Sequence, residues 1–146
     1  MKQAVLFMVT VALVCGNSPA AAPNIGIVPE KSISHFRADK NGGTIELEAK
    51  DPSDTPTIGQ IRAQIERIVQ MFRDGNFEAP GMAHQADTPG VADMKRLVSD
   101  IRYNYESTPR GAQVRILAAT AEARSAVHEF LKYQIRKHKR IGWVMH

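Results

Sequence analysis

Cysteine is nearly absent from this chain of 146 residues, which has a single one, Cys15, near its start. One thiol closes no disulfide within the chain and builds no thiolate zinc cage. Catalytic signatures are missing as well: there is no P-loop, no Gly-rich dinucleotide turn, no H-E-x-x-H run and no G-x-S-x-G elbow. His128-Glu129 begins the zinc-protease pattern, but Lys132 stands where its second histidine belongs. Paired acids such as Asp51 and Asp54 read as polar residues leading into a helix. The length leaves room for one core and excludes a dinucleotide domain joined to a substrate domain. No enzyme is expected.

Long apolar runs are equally scarce. Residues 4–14 are apolar except for Thr10, and about eleven residues fall well short of the ~20 that cross a bilayer. With Lys2 before this run and Ser18-Pro19-Ala20 after it, residues 1–20 read as a secretory signal peptide cut before Ala21. The rival reading is a lipid anchor on Cys15, which Val14 disfavours by placing a bulky side chain where a small one is expected. Either way the chain is expected to be periplasmic or secreted, with no membrane span in its mature form. Residues 21–32 read as a flexible N-terminal segment, 33–140 as one domain and 141–146 as a tail.

Charge is uneven along the expected mature chain. Residues 21–75 carry seven basic and eight acidic side chains, whereas 76–146 carry eleven and seven. Lys132, Arg136, Lys137, Lys139 and Arg140 crowd the last helix, where cations complement the helix dipole. That placement accounts for the basic balance without nucleic acid as a partner.

An internal repeat organises the rest. Residues 34–49 read as strand, turn with Asn41-Gly42-Gly43, and strand, followed by a helix; residues 103–118 repeat the order, with Pro109-Arg110-Gly111 at the turn. The alternation Ile45/Glu46/Leu47/Glu48 and Val114/Arg115/Ile116 marks strands with one buried and one wet face. Ile58, Ile61, Ile65, Ile68, Val69 and Phe72 draw an apolar helical stripe, with Thr55 as its cap, Pro56 at the first position and Gly75 at its end. A second helix over residues 121–139 is capped by Thr120 and turns Val127, Phe130, Leu131 and Ile135 inward. Val91, Met94, Leu97, Val98 and Ile101 form a stripe on a shorter helix opened by Thr88-Pro89. The fold expected is α+β: two ββα repeats forming a four-stranded antiparallel sheet with the helices on one face. Its other face would show His35, Arg37, Glu46, Glu48, Arg102, Asn104, Glu106, Gln113 and Arg115, either solvated or used for contact with a second copy or an envelope partner.

Without cysteine, histidine and methionine are the soft ligands left, and imidazole with thioether suits copper. Met82-Ala83-His84, in the irregular stretch from Glu78 to Asp87, is the most suggestive local group. His35, His128 and His138 complete the candidate metal ligands. Ten residues along one helix place His128 and His138 about 15 Å apart, so they cannot share a single ion. Each of the two better suits a histidine hydrogen-bonded to backbone at the core boundary, and Met94 suits packing.

Gly42 through Leu47, Asp51-Pro52, Met82-Ala83-His84, Ile101 through Glu106, Gly111 through Ile116 and Val127 through His138 together make the chain resemble a family of small exported bacterial proteins with no assigned activity. Some of that family carry an automatic aspartate carbamoyltransferase label, which these residues do not support: there is no Ser-Thr-Arg-Thr phosphate-binding run. The resemblance implies histidines in the hairpin, after the methionine loop and twice in the last helix, places that His35, His84, His128 and His138 match. Lys139-Arg140-Ile141-Gly142 departs from it.

Overall fold

The alternation at residues 44–49 and 113–118 becomes the two central strands of the sheet. The computed structural model describes residues 29–79, 82 and 87–142, with side chains through residue 138. In chain order it contains β1 (Ser32–Asp39), β2 (Gly42–Ala49), α1 (Thr55–Arg73), α2 (Val91–Arg96), β3 (Ile101–Thr108), β4 (Gly111–Ala118) and α3 (Ala121–Gly142). Short 3-10 turns at Pro29–Lys31 and Val98–Asp100 precede β1 and β3. The expected leader, residues 1–20, lies outside the described residues. Among the described residues no helix is long and apolar enough to cross a membrane.

All four strands pair antiparallel in the order β1-β2-β4-β3. β2 and β4 are central and buried along one face; β1 and β3 are the edges. Ile45, Leu47 and Ala49 on β2 and Val114, Ile116 and Ala118 on β4 point into the core, as the period of two requires.

Both long helices lie over that face, and each covers the hairpin of the other repeat. α1 packs chiefly on β4 and β3, whereas α3 reaches back to β1 and β2. Named contacts fix the crossing: Arg62 of α1 donates to the carbonyls of Thr108 and Gly111 at 2.8 and 3.1 Å, and His138 of α3 stacks on Phe36 of β1. Phe77, in the connection after α1, fills the gap between the helices, its ring 4.9 Å from Phe72 and about 6 Å from both Tyr103 and Phe130.

Local chemistry sets the helix ends. Asp54, not Thr55, caps α1: its carboxylate accepts from the Thr57 N–H at 3.1 Å and the Thr57 hydroxyl at 2.7 Å. Thr55 is already the first helical residue, one position too far along to cap it. At the other end the Gly75 N–H donates to the Phe72 carbonyl and the Asn76 N–H to the Met71 carbonyl, closing the helix in a Schellman motif. Thr120 caps α3 through its hydroxyl, which accepts from the Ala123 N–H at 3.2 Å.

The middle helix differs from its sequence pattern. α2 is only six residues long, and the stripe beyond it dissolves: Met94 is buried, Val98 is exposed, and Ile101 belongs to β3. The spacing 94, 97, 98, 101 is helical, but the chain turns at Leu97 so that Ile101 can enter the sheet, and sheet pairing overrides a short helix. β1 likewise begins at Ser32, and α3 runs through Gly142, beyond the boundary expected at residue 140.

Candidate functional site

With both helices on one side, nothing among the described residues covers the opposite face of the sheet, and it is built as a mosaic of paired charges. Arg37 Nη2 donates to Glu46 Oε2 at 2.8 Å, one step diagonally across the β1–β2 ladder. His35 lies opposite Glu46 in register, yet its Nε2 approaches the diagonal Glu48 at 3.4 Å. Arg115 of β4 reaches over Gly42, which has no side chain on this face, to Asp39 of β1 at 3.6 Å. Gln113 donates to Glu106 at 2.5 Å. Exposed pairs of this kind contribute about 0–1 kcal/mol each to stability, so their value lies in arranging charge. Arg37 is 66% exposed and Glu46 only 13%. At the β1 side of the face Arg37 and the His35 ring therefore stand outward over the more deeply set Glu46 and Glu48.

The candidate ligands are distributed as follows. His35 stands half exposed on the open face. His138 is on the helix side: its ring packs on Phe36 with centroids 4.4 Å apart, and its Nδ1 is 2.8 Å from the Gln134 carbonyl. His128 Nε2 is 2.7 Å from the Asp39 carbonyl, tying α3 to the end of β1. A carbonyl can only accept, so the proton sits on Nδ1 of His138 and on Nε2 of His128. Met82 is buried in the core, with its N–H donating to the Ala79 carbonyl at 3.1 Å. His84 lies outside the described residues. Among the described residues no three His, Cys, Asp or Glu side chains gather as a metal ion would need.

Two of the five do share one feature. A cleft of about 520 Å³ wraps around the free edge of β1, lined by Ser34, His35, Phe36, Arg37 and Glu46 with Ile135 and His138 of α3. Residues 35 and 36 point to opposite faces of the strand, so His35 and His138 border this cleft from opposite sides of the sheet. The volume is that of an ordinary ligand site. Sequence reasoning gave Ile135 to the core and did not connect it, Phe36 or the edge itself with a site. The signal was there in β1, which alternates weakly and is apolar on neither face, as edge strands are.

No family model, curated protein or solved structure matches the chain.

Proposed function

We propose that this protein is an exported, non-catalytic binding module of the cell envelope that docks a partner protein, or a second copy, through the uncovered face of its sheet. The observation that carries this reading is the face itself: four strands wide, free of helices among the described residues, and patterned with charge pairs in which Arg37 stands out over a tucked Glu46. Such a surface offers directional polar contacts, which set register and partner choice more than raw affinity. The secretory leader read in residues 1–20 and the resemblance to small exported proteins agree with an envelope location.

The test uses a photo-crosslinking side chain placed at Gln113 or Asn104 on the open face, with Glu66 on the exposed side of α1 as control. Adducts in cells from the sheet positions alone support the reading. A monomer by light scattering with no adduct, or equal adducts from both faces, sinks it.

A second reading is a transition-metal site, copper first, at Met82 and His84 with a further histidine. What supports it is the sequence spacing that puts the Met82 thioether two residues from the His84 imidazole. Titration of the untagged mature protein with Cu(I), Cu(II) and Zn(II), together with elemental analysis, decides it. Binding unchanged in His84→Ala, or none tighter than micromolar, removes it.

A further inference from the structure

The two edges of the sheet are not finished alike. Lys50 N–H donates to the Lys31 carbonyl at 2.9 Å, so in the β1–β2 ladder the odd residues of β1 bond inward and the even ones turn their N–H and C=O groups outward. On β3 the same reasoning from the Ala119 N–H to Asp100 carbonyl bond turns the odd residues outward. There Arg73 of α1 closes the edge, its Nε donating to the outward Tyr103 carbonyl at 3.0 Å. On β1, nothing among the described residues bonds the outward groups of Ser34, Phe36 and Ala38. Nor does β1 contain the lysine or proline that commonly blunts an edge.

We infer that the free edge of β1 is a strand-addition site for an extended peptide of alternating acidic and apolar residues, supplied by a partner protein. The inference rests on the docking role proposed above and names the segment that docks. Main-chain groups of Ser34, Phe36 and Ala38 supply the ladder. Successive side chains of an added strand fall on opposite faces. On the helix side they meet Phe36, Ile135 and the ring of His138; on the other they meet His35 and the outward Arg37, with Glu46 recessed beneath it. The first set takes apolar side chains and the second takes carboxylates. The cleft wraps the edge and so offers room on both sides.

Charge selects against a second copy as the occupant. The two longest registers of β1 against another β1 that keep both sheet faces aligned centre on His35 or on Phe36. The first sets His35 against His35; the second sets His35 against Arg37. Neither register sets a carboxylate opposite Arg37, whereas an acidic strand does.

The probe is a fluorescein-labelled synthetic peptide alternating glutamate and valine, with a lysine-valine peptide as its counterpart, read by fluorescence polarisation against the mature protein. The glutamate peptide binds, the lysine peptide does not, and Arg37→Glu weakens the first at least about tenfold. Ala38→Pro removes one outward N–H at an edge position where proline fits; it abolishes binding with the far-UV circular dichroism unchanged. If Ala38→Pro fails to fold, Arg37→Glu decides alone. Equal binding of both peptides, no binding of either, or binding unchanged in Arg37→Glu overturns the inference, as does dimerisation that Ala38→Pro abolishes. Photo-adducts at Gln113 that survive Ala38→Pro but vanish in Arg115→Glu leave the docking face standing and overturn the edge alone.

Discussion

Ile45 and Val114 stand directly opposite each other across the central ladder, and they are also the same position of the two repeats. β1 with β3 and β2 with β4 are displaced by one common offset, so a local two-fold axis passes between these two fully buried side chains. Other bonds obey it. The Ala118 N–H donates to the Asn41 carbonyl and the Ala49 N–H to the Arg110 carbonyl, both at 2.8 Å. Each hairpin turn is thus latched to the far end of the other hairpin.

The axis predicts matched penalties at Gly42 and Gly111. A Cβ on Gly42 would be driven into the Ile116 carbonyl oxygen, and one on Gly111 into the equivalent Leu47 carbonyl oxygen. Gly42→Ala and Gly111→Ala are each expected to cost about 3 kcal/mol in urea unfolding, because backbone oxygen cannot move aside. Gly42→Ala is the worse of the two, since Gly42 also holds a positive φ of 142°. A midpoint equal to that of the wild type for either variant would refute the close approach.

Asp54 should set part of the acid limit of stability. Its hydrogen bonds from Thr57, side chain first and backbone second, hold its carboxyl below the usual range. A lowered folded value means stability that is present above the unfolded pKa of about 3.9 and is lost as pH falls through the folded one. Asp54→Ala is expected to lower the Tm by roughly 4 °C at pH 7 and to flatten the decline below pH 4. Parallel acid profiles for the two proteins would show that the cap does not titrate.

Tyr103 should behave in the opposite sense. Its hydroxyl is buried without a hydrogen-bond partner among the described residues, and burial pushes its phenol well above the ordinary value. Here the neutral form is favoured in the fold, so stability is present below the unfolded pKa of about 10 and is lost as pH rises above it. Tyr103→Phe keeps the ring against Phe72 and Phe77. It is expected to gain about 1 kcal/mol at pH 7 and to extend the alkaline limit. A loss of stability at pH 7 would point to a bound water on the hydroxyl.

The expected leader makes a prediction that mass spectrometry can read. The exported protein is expected to begin at Ala21, with Cys15→Ser changing neither processing nor release. A mature chain beginning at Cys15 with an added lipid mass would establish the anchored form instead.

Elements with their own period were plain in the sequence. The alternation in Ile45–Glu48 and the stripe from Ile58 to Phe72 are local patterns, and they mark β2 and α1 directly. Ile101 was misplaced because its spacing from Met94 and Leu97 suits a helix, while its partner Ala118 lies far along the chain. Strand order, the crossing of the helices and the cleft at β1 depend on such distant pairings. His35 and His138 border one cleft only because α3 returns to the first hairpin, and no spacing rule connects residues so far apart.

The return of α3 also fixes the order of events during synthesis. Part of the apolar face of the first hairpin is covered by α3, so that hairpin cannot finish its core until residues about ninety positions further along have been made. Pairing this non-local is slow to form, and it leaves the first hairpin partly open until α3 has been made. Under the export proposed above, that delay would work in favour of threading the chain through a translocation channel before it folds.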